Sequence, residues 1–196
     1  AQEAGKLGIA SQQAVIEYVE AADGINVALD ELGEGATRDI GKLSSIYGDA
    51  ERMGLGKAML AVGAAINEVS QNSTASASYL VDFENRMAGV GKQADMSIPK
   101  IMGYASVLDQ NAQQVEMSAT ALQGIIMKMY QDPGKLARIA GINVKEFTRL
   151  VREDANEALL QLLDTLGKAG GMQALAPMFD EMKLDGSRAA SVLSVL

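Results

Sequence analysis

The stretch LGKAMLAVGAAINEV, residues 55–69, decides the fold class of this chain. Its large apolar side chains recur at intervals of 4, 3, 4 and 3 residues, at Leu55, Met59, Val62, Ile66 and Val69. An α-helix completes a turn about every 3.6 residues, so this spacing places all of them on one side of a helix. Such a stripe has to pack against other helices, and the stretch therefore predicts a helical core around itself.

Comparable stripes follow along the chain, separated by residues that start or end helices. One of them carries Tyr79, Phe83, Met87 and Val90. Asp132-Pro133 is a typical helix start, and a long helix is predicted from a cap at Asn143 to about Leu166. The sequence has no strand-like alternation of apolar and polar residues. We therefore predict an all-α fold, a compact multi-helix bundle of about nine or ten short to medium helices.

The two ends of the sequence favour a segment over a complete protein. Residues 1–6 read AQEAGK, without an initiator Met or a signal sequence, and residues 189–196 read AASVLSVL, which stops inside an apolar pattern. We expect residues 1–196 to be a single all-α globular segment of a much longer chain, with a candidate sub-boundary near residues 131–134.

Three glycines fall inside predicted helices, at Gly63, Gly103 and Gly124. Each should cost about 1 kcal/mol relative to Ala in a helix. We hypothesise that they lie where two helix backbones nearly touch, because small residues surround them. A tolerated surface glycine is the alternative at each position.

Composition excludes most catalytic chemistry. The chain has neither Cys nor His, so it lacks the usual thiolate nucleophile, the near-neutral proton shuttle and the common soft-metal ligands. Residues 54–57, GLGK, resemble the end of a phosphate-binding loop, but Glu51 and Ala58 stand where that motif needs Gly and Ser or Thr. We predict no enzyme activity, no catalytic residue, no cofactor and no metal site.

The charge and the hydropathy pattern limit the kinds of partner. The formal net charge is -8, which opposes non-specific attraction to nucleic acid or anionic lipid. The most apolar stretch, residues 55–69, contains Lys57 and Glu68 and is shorter than the about 20 apolar residues of a membrane helix. We expect no specific nucleic-acid partner and no membrane span in this segment.

Acidic residues cluster at three places, Asp30-Glu31, Glu153-Asp154-Glu157 and Asp180-Glu181. Carboxylates of this kind can hold a hard cation or act as a catalytic pair. None of the clusters has EF-hand spacing, and we interpret them as solvated surface.

One basic patch stands out on this acidic chain and is the candidate site for contact with a partner. It consists of Lys128, Lys135, Arg138, Lys145, Arg149 and Arg152, and between the first and the last of them only Asp132 and Glu146 are acidic. A basic patch on an acidic body indicates an acidic partner surface. A pair of short helices with a solvated face is the alternative.

Methionine is frequent, with 11 residues. Flexible thioether side chains can form a pliable binding surface or fill gaps in a core. We favour gap filling, because many occupy the predicted apolar stripes, including Met59, Met87, Met129 and Met182.

Five blocks of sequence occur in a characteristic order. They are NEVSQNSTA at 67–75, MSIP at 96–99, VEMSATAL at 115–122, DP at 132–133 leading to AGI at 140–142, and GGMQAL at 170–175. In this order the chain resembles the core region of phage tail tape measure proteins, the phage-related minor tail protein family. The resemblance extends from about Leu7 to the end of the sequence. Each block alone is a helix cap or a small-residue stripe, so their order carries the specificity.

The resemblance implies a structural role in the tail of a phage or prophage, in tail assembly, tail-length determination and genome ejection. It implies assembly in the bacterial host cytoplasm and residence in the virion tail. The implied partners are the tail tube, the tail assembly chaperone, baseplate or tip proteins and further copies of the chain. The family carries no catalytic residues in this core, so none is transferred to this sequence.

Two other functions are kept beside the tail interpretation. The first is a cytosolic helical adaptor module that docks amphipathic partner helices, which needs no family resemblance. The second is an enzyme that uses Asp and Glu alone, which would require a carboxylate pair in a deep cleft.

The length of the chain bears on how it would act in a tail. As one continuous helix, its residues would span about 290 Å at about 1.5 Å per residue. Asp132-Pro133 and the glycine-rich break at 167–171 oppose such a rod. We therefore hypothesise a compact helical module that contacts tail partners or unfolds during passage.

Overall fold

The structure, a computed structural model, describes residues 9, 11–29, 32, 35–170, 172–182 and 186–196. Every regular element in those residues is an α-helix, so the predicted all-α fold class is confirmed. The helices of this part of the chain are α1 (Gln12–Ala28), α2 (Ala36–Ile46), α3 (Asp49–Met53), α4 (Leu55–Asn72), α5 (Ala77–Gln93), α6 (Ile98–Gln110), α7 (Val115–Gln131), α8 (Pro133–Ala140), α9 (Val144–Glu153), α10 (Ala155–Gly167), α11 (Met172–Met182) and α12 (Gly186–Leu193).

Two breaks make the helices of the described residues more numerous than the sequence predicts. Gly48 and Gly54 have φ angles of 83° and 88°, and the chain between them forms the short helix α3. Asp154 divides the long helix predicted from Asn143 into α9 and α10, and its carboxylate accepts the backbone N–H of Glu157 at 3.1 Å. An Asp that caps the next helix in this way ends the preceding one.

The helices pack in a sequence of mostly neighbouring pairs. Helix α1 lies on α4, and α2 packs against both α4 and α5. Helix α5 also contacts α4, α6 and α7, which places it at the centre of this half of the bundle. Helices α8, α9 and α10 pack on one another beside α7, and α12 returns to α7. The predicted apolar stripe of α4 faces inward, with Met59, Val62 and Ile66 buried.

One connected cluster of buried side chains runs through the described residues, from Tyr18 to Leu193. It is built mainly from aliphatic side chains, Met and Ala, because the sequence has few aromatic residues. Phe83 and Phe147 are the fully buried phenylalanines at its two halves. Close helix packing of this kind removes apolar surface from water. Each Å² of apolar surface buried stabilises the fold by about 25 cal/mol.

The predicted role of methionine in the core is confirmed at three of the four named positions. Met59, Met87 and Met129 are each fully buried. The side chain of Met182 lies outside the described residues. Unbranched thioethers fill the irregular gaps that a core with few aromatic rings leaves between helices.

The candidate sub-boundary near residues 131–134 coincides with a helix junction. Asp132 ends α7 and caps α8, and its carboxylate accepts the backbone N–H of Lys135 at 2.9 Å. Buried side chains on both sides of the junction, such as Met129 and Leu136, belong to the same core cluster. The chain therefore changes direction at this junction without interrupting the core.

The glycine hypothesis is confirmed in part for one position and is wrong for two. A methyl group at Gly63 would lie 2.8 Å from Cγ1 of Ile25, so α4 approaches a side chain of α1 there. Gly103 and Gly124 have no atom within 4 Å of that position and are tolerated without close packing. The close backbone approach occurs instead at Gly56, where a methyl group would lie 3.0 Å from the carbonyl oxygen of Glu17.

We predict that Gly63→Leu lowers the free energy of unfolding by about 1–3 kcal/mol, because the new side chain overlaps β-branched Ile25 in a filled core. Gly103→Leu is the matched control, since it also places Leu within a helix, but at a position open to solvent. The free energy of unfolding of the control should stay unchanged or rise by up to about 1 kcal/mol. Chemical denaturation of both variants checks this, and equal midpoints would contradict the close approach at Gly63.

Candidate interaction surface and a buried carboxyl group

The six basic residues of the predicted patch lie on three consecutive helices. Lys128 is in the last turn of α7, Lys135 and Arg138 are on α8, and Lys145, Arg149 and Arg152 are on α9. Helix α8 packs directly on α9, and both contact α7. The structure therefore brings the basic segments into one region of the surface.

Helix α9 buries apolar side chains and exposes its charged ones, which include Glu146 and Glu153 as well as the basic residues. Phe147 and Val151 are buried against the core. Lys145, Arg149 and Arg152 follow one another at intervals of four and three residues and are exposed. That spacing places them together on the solvent side of the helix.

Gly134 on α8 lies where the side chain of Arg138 meets the start of α9. A methyl group at Gly134 would lie 3.5 Å from Cγ1 of Val144 and 3.6 Å from Nη1 of Arg138. Arg138 and Val144 therefore lie side by side over Gly134, and Lys145 follows directly. We call Arg138, Val144, Lys145 and Arg152 the basic face.

Not every residue of the predicted patch belongs to this face. Lys128 and Lys135 are half-buried on the flanks of α7 and α8. Arg149 forms an ion pair with Glu153 on the next turn of α9. Arg138, Lys145 and Arg152 make no ion pair with any described residue, and their charges remain available to a partner.

Of the acidic clusters that the structure describes, the one around Asp154 supports local structure. Asp154 caps α10 and lies 3.5 Å from Nζ of Lys100, and the backbone N–H of Glu157 lowers its pKa. Asp180 and Glu181 are exposed on α11. The cluster at residues 30–31 lies outside the described residues. Within the described ranges, no three carboxylates gather as a metal site would require.

Two surface depressions in the described part of the chain offer little chemistry. The larger, of about 370 Å³, lies where α4 leads into α5 and is lined by Ser70, Ser73, Thr74 and Ser76. The backbone N–H of Ser76 at the start of α5 already donates to Oδ2 of Asp109 at 2.7 Å. The smaller, of about 200 Å³, lies between α2 and α5. No helix formed by the described residues has the length and apolar character of a membrane span.

The unexpected polar group is Glu84, in the middle of α5. Its side chain is 0% exposed, and neither carboxyl oxygen has a hydrogen-bond partner among the described residues. Burial raises the pKa of this carboxyl well above its ordinary value of 4.5, because a charged group loses its hydration in the core. Burial therefore favours the neutral form of this carboxyl group.

Tyr47, at the end of α2, is close enough to this carboxyl group to interact with it electrostatically. Its hydroxyl is also buried without a hydrogen-bond partner in the described part of the chain. Burial raises the pKa of Tyr47, and the Glu84 charge raises it further. A methyl group at Gly91 would lie 2.5 Å from the Tyr47 hydroxyl oxygen, so the absence of a side chain at Gly91 makes room for Tyr47.

The sequence pattern did not predict that Glu84 is buried, because the large apolar residues of α5 indicate a different buried side for this helix. The predicted face is centred on Phe83, whereas Tyr79 and Val90 at its ends are only half-buried. The buried face is turned towards Leu80, Glu84 and Gly91, spaced four and seven residues apart. That spacing was visible in the sequence, but a Glu within it reads as a solvent-facing residue.

No protein-family model matches the chain, and neither a curated protein nor a solved structure matches it.

We predict that Glu84 makes the protein less stable as pH rises. The folded-state pKa lies above the unfolded-state value, so the folded chain holds this proton more tightly. Its stabilising effect is full below the unfolded-state pKa and is lost as pH rises through the folded-state pKa. Between these two pKa values, the free energy of unfolding falls by up to about 1.4 kcal/mol per pH unit.

Denaturation of the wild type and of Glu84→Gln over a range of pH measures this effect. The stability of Glu84→Gln relative to the wild type should increase steadily as pH rises above the ordinary carboxyl range. The control is Glu68→Gln on the exposed side of α4, whose difference from the wild type should stay flat. A flat difference for Glu84→Gln as well would contradict the buried neutral carboxyl.

Proposed function

We propose that this chain is a core segment of a phage or prophage tail tape measure protein and that its role is structural. The order of the five sequence blocks at 67–75, 96–99, 115–122, 132–142 and 170–175 carries the proposal. Most of these blocks lie at helix ends, for example at the start of α6, α7 and α8. Capping geometry constrains residues at such positions, so their order follows the order of helices in a fold.

The compact bundle supports the module interpretation over the rod interpretation. The described helices fold back on one another around a connected core, whereas a continuous helix of this length would span about 290 Å. While it is folded, this segment would add little to a measured tail length. We propose that it contacts the tail tube, the tail assembly chaperone or the tip proteins, and that it unfolds when the parent protein leaves the tail.

The buried carboxyl group fits a module that has to open. A buried carboxyl group without a hydrogen-bond partner among the described residues should lower the free energy of unfolding relative to an apolar side chain of similar size. A domain with a modest unfolding free energy can be extracted through a narrow tube more readily than one with an optimised core. We assign no catalytic role to the segment.

A helical adaptor for amphipathic partner helices is the second candidate. The observation that favours it is the outer side of α1, where Ile16 and Val19 are 43% and 44% exposed. An exposed apolar pair on one helix face can contact another helix. The adaptor function predicts that the chain is found in cells but is absent from purified particles.

We predict that peptides of this chain are present in purified tail particles and that in-frame deletion of residues 12–193 from the parent gene impairs tail assembly. If tails still form, they should shorten by much less than about 290 Å, because the folded module is compact. Mass spectrometry of particles and electron microscopy of tail lengths provide the measurements. Particles without these peptides, together with normal tails after deletion, would contradict the proposal.

Two point variants in the parent gene test whether tail assembly requires the folded module, without deleting any of its sequence. Gly63→Leu disturbs the α1–α4 contact, whereas Gly103→Leu changes an open position of α6. The first should reduce the yield of complete tails and the second should not.

A further inference from the structure

The outward side of α1 carries a row of residues with apolar ends and an acidic middle. Ile16, Glu20, Asp23 and Val27 recur at intervals of four, three and four residues, which places them along one side of the helix. That side lies opposite the buried residues of α1, and all four residues are exposed. Ile16 and Val27 are exposed by 43% and 80%. We call these four residues the outer face of α1.

Further apolar side chains border this outer face. Val19 on the same helix is 44% exposed, and Leu60 on α4 is 47% exposed. A methyl group at Gly24 would lie 3.6 Å from Cδ2 of Leu60, so Leu60 lies against α1. Four of the ten large apolar residues that are exposed in the described part of the chain, Ile16, Val19, Val27 and Leu60, are therefore on or next to α1. Concentrated exposure of this kind indicates a contact surface, whereas isolated apolar residues do not.

The charge of this surface is mainly negative. Helix α1 has three charged residues, Glu17, Glu20 and Asp23, and all of them are acidic. On the neighbouring helix α2 both basic residues pair with Asp39. The other neighbour, α4, contributes one basic residue, Lys57. The three carboxylates of α1 outnumber that single cation, so the surface is complementary to a cationic partner.

We propose that the outer face of α1 binds a basic amphipathic helix of a partner protein. Lys or Arg side chains of that helix would face Glu20 and Asp23, and its apolar side chains would cover Ile16, Val27 and Leu60. From Ile16 to Val27 the outer face extends about 16 Å at about 1.5 Å per residue, which matches about three turns of a partner helix.

The same charge disfavours other classes of ligand. Carboxylates repel the phosphates of nucleic acid and the headgroups of anionic lipids, and the net charge of the chain is -8. A basic helix is attracted both by the outer face and by the chain as a whole. The proposal rests on the adaptor candidate for the helical form of the partner and gives that candidate a site and a partner charge. It does not depend on the tail function.

Two synthetic peptides test this contact by fluorescence anisotropy. Both are about 18 residues long, or about five helical turns, and carry Leu along one helix face. The remaining positions are Lys in one peptide and Glu in the other. At about 0.05 M salt the Lys peptide should bind the wild-type chain at least about tenfold more tightly than the Glu peptide. Glu20→Lys combined with Asp23→Lys should abolish that preference.

A second variant tests the apolar part of the contact. Ile16→Ser combined with Val27→Ser leaves every charge in place and should weaken binding of the Lys peptide at least about tenfold. This loss should persist when the salt concentration is raised, because burial of apolar surface is not screened. The effect of the charge reversal at Glu20 and Asp23 should shrink under the same conditions. Circular dichroism checks that every variant is folded.

The control is Asp180→Lys with Glu181→Lys on α11, which packs against α8 and α12. This exposed acidic pair gives the same change in net charge as the reversal on α1. The control should keep the preference for the Lys peptide. Equal affinity of the wild type for the two peptides, or an equal loss of preference in the α1 and α11 reversals, would overturn the proposal.

A second copy of the chain is the competing occupant. Analytical ultracentrifugation of the wild type and of the α1 reversal distinguishes it from a partner helix. If the reversal abolishes self-association and leaves peptide binding unchanged, a second copy covers the outer face and the proposal is wrong. Peptide affinity is measured independently of whether the chain occurs in tail particles, so its failure would not contradict the tail function.

Discussion

Helix α5 has to bury the side that carries Leu80, Phe83 and Met87, and the packing of four other helices depends on that burial. Helices α2, α4, α6 and α7 each contact α5, and through α7 the second half of the bundle is joined to the first. Since the chain has few aromatic residues, the core gains its stability from many small aliphatic and thioether contacts. Such a core needs short distances between helices, and Gly56 and Gly63 provide them between α1 and α4.

The same central helix carries the least favourable group of the core. A carboxyl group with no hydrogen-bond partner among the described residues costs free energy even when it is neutral, and more when it is charged. Glu84 and the Tyr47 hydroxyl are both buried without a hydrogen-bond partner among the described residues, although they interact electrostatically. The bundle therefore combines a connected apolar core with one buried polar group that has no hydrogen-bond partner among the described residues. That combination suits a module that folds before assembly and unfolds in use, as we propose for a tape measure segment.

The surface divides by charge although the chain as a whole is acidic. Helix α1 has only acidic charges, whereas α8 and α9 present Arg138, Lys145 and Arg152 without ion pairs among the described residues.

The sequence by itself determined the fold class, since the spacing of Leu55, Met59, Val62 and Ile66 fits a helix and excludes a strand. It also determined that Met59 and Met129 lie in the core, and that Asp132 starts a helix. Only the tertiary structure decided which glycines are close-packed, because Gly63 and Gly103 look alike until the partner helix is in place. It also decided that Glu84 is buried and that Arg149 forms an ion pair with Glu153. Local spacing fixes which residues share a helix face, whereas burial and pairing depend on neighbours that are distant in sequence.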